Sequence, residues 1–371
     1  MAEDIADPLR IGIAGYGNLG KGVAAAVGQN SDMTLQAIFT RRDPASLDVP
    51  AGLAPVHPWA DLPAHRDQID VLILCGGSKE DLPTQGPELA AQFTTVDSFD
   101  THARIPEYFD AVDAPARAAG TTAIISVGWD PGMFSLNRLF GEALLPQGQT
   151  YCFWGKGLSQ GHSDAVRRVP GVAAGVQYTI PATDAIETVR SGARPELSTR
   201  DKHRREAYVV LADGADAAEV ERAIVTMPHY FADYDTRVHF ISAEELAREH
   251  ATMPHGGFVI RSGSTGTGGG SSEMADGGGA DGSTKVPDGG SSAGSTVLPG
   301  GGGAGGGHSQ VIEYRLQLDS NPEFTASVLV AYARAAARLN AQGVVGAQTV
   351  LDVPPGLLSP KPPEQLRAEL L

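Results

Sequence analysis

The sequence predicts an α/β protein: an N-terminal doubly wound, Rossmann-type unit followed by an α+β unit built on a mixed sheet. Three observations carry this reading. In the first third of the chain, short apolar runs alternate with helical stretches, the pattern of a parallel sheet with crossover helices. Between the first such run and the first helix lies Gly15-Tyr16-Gly17-Asn18-Leu19-Gly20. After Trp129 the runs lengthen and alternate polar with apolar, as in an open mixed sheet with one solvated face.

In chain order, Ile11–Ala14 reads as a strand and Asn18–Val27 as a helix. Leu35–Thr40, Val71–Cys75 and Thr94–Val96 read as further strands, Ala111–Ala119 as a helix and Ala123–Val127 as a buried strand. Beyond Trp129, strands are predicted at Ala207–Leu211, Tyr234–Ile241 and Ile312–Leu318, with a helix at Ala217–Val225. From Phe324 to Asn340, Val328, Leu329, Tyr332, Ala336 and Leu339 recur with a helical period. Asn321-Pro322 has the form of an N-cap and first turn. Between Gly263 and Gly307 lie 19 of the chain's 46 glycines and no aromatic residue. Such a segment buries too little surface to offset its ordering entropy. Residues 262–308 are therefore expected to form a flexible surface loop between two strands.

At 371 residues the chain exceeds one compact core and suits two domains. Apolar residues at 42% and charged residues at 19% are ordinary for a globular protein. A formal charge of −16 opposes nucleic acid or an anionic membrane surface as partner. It leaves room for a small dianionic ligand in a locally basic pocket. Cys75 and Cys152 lie in unrelated segments and form no C-x-x-C pattern, so no metal is expected. Met1 to Arg10 holds no apolar signal region, and no run approaches the ~18 apolar residues of a membrane span. The expectation is a cytoplasmic protein.

The glycine motif is G-x-G-x-x-G after a strand and opening a helix. Its first glycine makes the tight turn, its second lets a pyrophosphate approach, and its third lets helix pack on strand. Cofactor choice is read at the end of the second strand, where an NAD site offers a carboxylate to the ribose 2′-hydroxyl. This chain offers Thr40-Arg41-Arg42 and no acid before Asp43. Two guanidinium groups favour a 2′-phosphate, and so NADP, unless they are only solvated surface arginines.

Past the glycine motif the chain resembles the meso-diaminopimelate D-dehydrogenase family. The resemblance is carried by Trp129-Asp130-Pro131-Gly132-Met133-Phe134-Ser135, by Phe153-Trp154-Gly155 leading to Leu158-Ser159-Gln160-Gly161-His162-Ser163-Asp164, by Met253-Pro254-His255-Gly256-Gly257, and by Asp319-Ser320-Asn321-Pro322. It runs from about Ile11 to Pro360, and its one clear departure is the glycine-rich loop, where the family has a short turn.

The resemblance implies a homodimeric enzyme that converts meso-2,6-diaminopimelate, water and NADP to L-2-amino-6-oxopimelate, ammonia and NADPH. It implies that residues 1–128 and 322–371 form the dinucleotide domain, the C-terminus returning to it, and that 129–321 form a substrate and dimerisation domain. Nucleotide contacts would come from Gly15 to Gly20, from Thr40, Arg41 and Arg42, from Cys75, Gly76, Gly77 and Ser78, and from Gly128, Trp129 and Pro131. Substrate contacts would come from Asp100, Asp130, Trp154, Gln160, Gly161, Thr179, Arg205, His255 and Asn321.

The same residues have a physical reading. Hydride removal from an amine carbon requires the free amine, so a bound ammonium must first lose a proton, to a carboxylate or through one to water. Asp100 and Asp130 each follow a predicted strand and are the expected catalytic pair, with Asp97 close enough to be confused with Asp100. Helix capping is the alternative role for both, and which of them is the base stays open. Arg205, Thr179, His255 and Asn321 would anchor the substrate's unreactive end. Their bland alternatives are a solvated basic run, strand filler, a structural glycine turn and a helix cap. Trp154 is either core or a wall against the substrate's aliphatic chain. Two other functions fit the glycine motif, a reductase of a cyclic imine dicarboxylate and a non-catalytic NADP-binding sensor. The first would not need the motifs at Trp129 and Phe153, and the second would not need both aspartates.

Overall fold

The structure, a computed structural model, describes residues 7–228, 230–266 and 307–371. Six parallel strands arise first: β1 (Leu9–Ala14), β2 (Met33–Thr40), β3 (Val56–Pro58), β4 (Val71–Leu74), β5 (Thr95–Asp97) and β6 (Thr122–Ile124). Helices Asn18–Gly28, Leu82–Ala90 and Ile105–Ala119 cross between them. Burial on both faces explains the unbroken apolar runs. On β4, Val71 and Ile73 enter one core while Leu72 and Leu74 enter the other.

The chain then leaves this sheet. It forms β7 (Gly148–Trp154), β8 (Gly157–Leu158), β9 (Val172–Pro181), β10 (His203–Leu211), β11 (Asp235–Phe240), β12 (His255–Thr265) and β13 (His308–Leu318). The expected mixed sheet is present in the order β11-β10-β9-β8, with β10 parallel to β11 and the other pairs antiparallel. Beside it stands a separate antiparallel sheet, β13-β12-β7, that the alternation did not separate from it. The chain passes between the sheets at Gly155, whose φ of 110° redirects it from the Trp154↔Gly257 pair into the Gly157↔Thr179 pair.

β12 and β13 stay in register to Thr265↔His308, so the edges of the expected loop are strand. Its residues 267–306 lie outside the described residues. Helix Asn321–Ala341 then packs Val328, Leu329, Tyr332 and Ala336 against Ile11, Ile13 and Val23 of the first unit. β14 (Gly346–Gln348) adds to β6 in parallel, completing the order β14-β6-β5-β4-β1-β2-β3. The C-terminal segment therefore returns to the first sheet. The helix cap differs from expectation: Ser320 is the N-cap, and Asn321 is the first helical residue with its side chain engaged elsewhere. Among the described residues no helix is long and apolar enough to cross a membrane.

Candidate active site

The glycine turn after β1 is built for close approach. Gly15 has φ 102°, and a Cβ on Gly20 would lie 2.2 Å from the Gly15 carbonyl oxygen, so a side chain there would lift the helix off the turn. Gly17 caps helix Asn18–Gly28 with no side-chain hydrogen bond, and its own Cβ direction is open. The first N–H groups of an 11-residue helix thus face a groove, a suitable place for pyrophosphate.

At the end of β2 a cavity of about 260 Å³ is lined by Gly15, Tyr16, Thr40, Arg41, Arg42 and Gly76, among others. Arg42 Nη2 donates to the Tyr16 carbonyl at 2.7 Å, and Thr40 Oγ1 accepts from the Arg42 backbone at 3.0 Å. Arg41 is held differently. Its Nη1 donates to Asp81 Oδ1 at 2.6 Å and its guanidinium lies 6.0 Å from the Trp59 ring centroid. This hydrogen bond holds the Asp81 carboxyl below its usual range. Asp81 and Trp59 carry no sequence signal, since each meets Arg41 only through the fold.

A second cavity, of about 480 Å³, shares Gly17 and Cys75 with the first, so the two form one groove across the C-terminal edge of the sheet. Its lining brings together Asn18, Leu19, Asp100, Gly128, Trp129, Asp130, Pro131, Gly161, His255 and Asn321, all singled out from the sequence. Ser98 and Thr325 join them and were not, and Ser159 joins them from the motif at Leu158, where it was given no site role. Gly77 and Ser78 lie beside this lining, where Ser78 Oγ accepts from the Asp100 backbone N–H at 2.8 Å.

The two aspartates differ in kind. Asp100 is exposed, and among the described residues no hydrogen bond reaches its carboxylate. The Asp130 side chain is only 3% exposed; Arg138 Nη2 donates to Oδ1 and Trp154 Nε1 to Oδ2, each at 2.8 Å. Arg138 escaped the sequence reading because it lies eight residues beyond Asp130 on another element, and only the turn before helix Met133–Leu144 folds it back. Asp97, by contrast, is structural. It is buried, accepts from Tyr108 Oη at 2.7 Å and from the backbone of Phe99 and Ser126, and burial pushes its carboxyl up to about 6.

Around the far wall, His255 Nδ1 accepts from the Gly256 N–H at 2.8 Å and its ring lies 4.5 Å from that of Trp129. Burial pushes this imidazole down to about 4, so it is neutral at pH 7 with its proton assigned to Nε2, a donor. Asn321 Oδ1 accepts from Trp129 Nε1 at 3.0 Å and from Thr325 Oγ1 at 3.3 Å, which leaves its amide N–H groups for a ligand.

Arg205, Thr179 and Trp154 are set back from the cavity lining. Arg205 is 5% exposed, donates from Nη1 to Thr179 Oγ1, and lies 3.9 Å over the Tyr234 ring. Among the described residues it has no carboxylate partner, Tyr234 being the side chain that raises its basicity, and its Nε is buried without a hydrogen bond. Its charge helps hold the neighbouring His162, His203 and His255 neutral. Trp154 stacks on His203 with centroids 5.2 Å apart, and its backbone N–H donates to His203 Nε2 at 2.8 Å. Gln160 opens helix Gln160–Arg167; Gly161 beside it has open space where a Cβ would lie.

Comparison with known proteins extends these observations to the whole chain. The family model for the diaminopimelic acid dehydrogenase C-terminal domain matches residues 128–274. The meso-diaminopimelate D-dehydrogenase of Ureibacillus thermosphaericus is 58% identical, over 98% of this chain and 99% of its own. Among solved structures, diaminopimelate dehydrogenase of C. glutamicum in complex with DAP is similar at TM-score 0.82 and 42% identity, covering 99% of this chain and 100% of that one. An engineered D-amino acid dehydrogenase bound to NADP+ is similar at TM-score 0.77 and 41% identity, covering 98% and 100%.

Proposed function

The chain belongs to the meso-diaminopimelate D-dehydrogenase family, and from that premise we propose how its residues divide the work and that its cofactor is NADP. The enzyme oxidatively deaminates the D-centre of meso-2,6-diaminopimelate. Full-length identity with dehydrogenases, with both Asp100 and Asp130 in the cavity, sets aside the cyclic-imine reductase and the sensor.

The residues fit the cofactor. Gly15, Gly17 and Gly20 admit a pyrophosphate at the helix N-terminus, and Cys75 to Ser78 and Gly128 to Pro131 border the path toward the nicotinamide. Thr40, Arg41 and Arg42 surround the place of a 2′-phosphate. When bound, NADP+ supplies the hydride acceptor. Residues 1–128 and 322–371 would hold it, and 129–321 would hold the substrate. A second copy would cover Leu139, Phe140 and Leu144, which are 44%, 49% and 65% exposed on one helix.

The single observation that carries the substrate reading is charge. A pair of carboxylates, Asp100 and Asp130, stands in the cavity with the nucleotide turn, and a buried cation without a counter-ion, Arg205, stands behind its far side. An isolated buried cation is costly unless a ligand anion completes it. The L-end carboxylate of the substrate would complete Arg205, helped by Thr179, the His255 Nε2–H and the Asn321 amide. The D-end ammonium would lie between the aspartates. Asp130 holds it with lone pairs left over from Arg138 and Trp154, while Asp100, open to water, takes its proton onward. Trp154 flanks the aliphatic chain. Once the amine carbon has lost hydride, water adds to the resulting imine and ammonia leaves.

The cofactor part is tested at Arg41 and Arg42. Replacing both by alanine is expected to raise the KM for NADP+ by at least about 100-fold while changing that for NAD+ less than about threefold, since each lost charged hydrogen bond is worth about 1.5–3 kcal/mol. Arg41 must exchange its exposed Asp81 pair for phosphate, so Arg42→Ala is expected to be the more damaging single change. Equal losses with both cofactors would remove the 2′-phosphate assignment.

A further inference from the structure

We propose that Arg138 is a positioning residue for the reaction: it fixes the Asp130 carboxylate in one orientation and balances its charge in the cavity wall, so that Asp130 grips the substrate ammonium without competing for its proton. The inference rests on the role given to Asp130 above and adds to it the device that makes that role possible.

Helix Met133–Leu144 starts just after the Asp130 turn and carries Arg138 back over it. The Arg138 guanidinium is tied at three points. Its Nη2 donates to Asp130 Oδ1 at 2.8 Å and to Ser135 Oγ at 3.0 Å, and its Nη1 lies 3.6 Å from Cys152 Sγ. Ser135 Oγ also accepts from the Gly132 N–H at 3.1 Å, so the arginine is tied to the turn that presents Asp130. Trp154 Nε1 occupies one site on the other carboxylate oxygen. Each oxygen therefore has one fixed donor and one spare lone pair, and the spare pairs are what an ammonium needs. A carboxylate this buried is costly to keep charged without a counter-charge beside it. Among the described residues Arg138 is its one ion-pair partner. The other charged or titratable groups around it, among the described residues, are Asp100 across the cavity, His255 on β12, Cys152 on β7, His203 beside Trp154, and Lys202, whose charge acts on Cys152 and His203. His203 and His255 are neutral at pH 7 and supply no balancing charge.

The test compares Arg138→Met, Arg138→Gln and Arg138→Lys with the parent enzyme, using meso-diaminopimelate and NADP+ across pH, with thermal unfolding as the check of fold. The neutral variants are expected to lose about 100-fold in kcat with KM moving less than about threefold. The acid limb of their kcat/KM profile should move up by at least about one pH unit, because the cavity wall has lost its balancing cation. Arg138→Lys should keep the parental limb and stay within about tenfold in kcat. An unmoved limb in either folded neutral variant overturns the proposal. If neither folds, Arg138→Lys decides alone: a retained limb supports the role and a shifted limb overturns it. Asp130→Asn separates this inference from its premise. An active Asp130→Asn enzyme defeats the role of Asp130 itself, whereas an inactive one beside an unmoved Arg138→Met limb defeats only the role of Arg138.

Discussion

Replacing Arg205 by alanine is expected to lower kcat/KM for meso-diaminopimelate by about 10²–10⁴-fold, with two charged hydrogen bonds to a carboxylate worth about 3–6 kcal/mol together. A simple D-amino acid has no distal carboxylate, so its already low rate should change by less than about threefold. The physical reason is that Arg205 is buried, has no acid to pair with, and keeps a bare Nε. The variant loses its stacking on Tyr234, about 2 kcal/mol at a desolvated site, but also loses an unpaired buried cation, so without substrate its stability should stay within about 1 kcal/mol of the parent. Substrate-induced stabilisation, however, should largely vanish. Binding energy at this remote end orients the reacting centre, so part of the loss should appear in kcat. Equal proportional losses on both substrates would remove Arg205 from the distal clamp.

The second large effect separates the two aspartates. Asp100→Asn and Asp130→Asn are each expected to lower kcat by about 10³-fold, the range for a lost proton acceptor or charge partner. Only Asp130→Asn should also weaken the fold. It strands the Arg138 guanidinium, at a cost of about 2–3 kcal/mol, less than the 3–5 of a fully buried pair because Arg138 is 28% exposed. A drop of about 5 °C in Tm is expected for Asp130→Asn and none beyond about 1 °C for Asp100→Asn. Matching Tm values would mean that the Arg138 pair contributes nothing to holding Asp130.

These expectations join what the sequence displays to what only folding assembles. The parallel sheet was readable because strands buried on both faces are continuous apolar runs, as at Val71–Leu74. The nucleotide turn was readable because its chemistry is local: each glycine answers to a neighbour within the turn or the next strand. Helix Asn321–Ala341 was recognised from its apolar period but its cap was placed one residue late, because Asn321-Pro322 mimics a cap while the Asn321 side chain is committed to Trp129. The division of the second unit into two sheets was hidden. It depends on a glycine at positive φ, Gly155, in a stretch to which the alternation pattern assigned no strand. Arg138, Tyr234, Trp59 and Asp81 were hidden for a different reason. Each acts on a site residue that is remote in sequence or on another element, and no spacing rule links a side chain to a partner that topology supplies. Asp100 could be told from Asp97 only by burial, which places one in the cavity and the other under Tyr108.

The central claim is that the carboxylate pair holds the D-end of the substrate at the nicotinamide while Arg205 holds the L-end. The most direct measurement is hydride tracing with meso-2,6-diaminopimelate deuterated at one α-carbon at a time, with NADP+ and mass analysis of the reduced cofactor. With the D-centre labelled, the account predicts deuterium in the NADPH formed and a slowed chemical step; with the L-centre labelled, it predicts none. In the Arg205→Ala enzyme the residual turnover should lose part of this discrimination, because the end that sets the register is no longer held. Deuterium arriving from the L-centre in the parent enzyme would contradict the account, since the two ends of the substrate would then be bound the other way round.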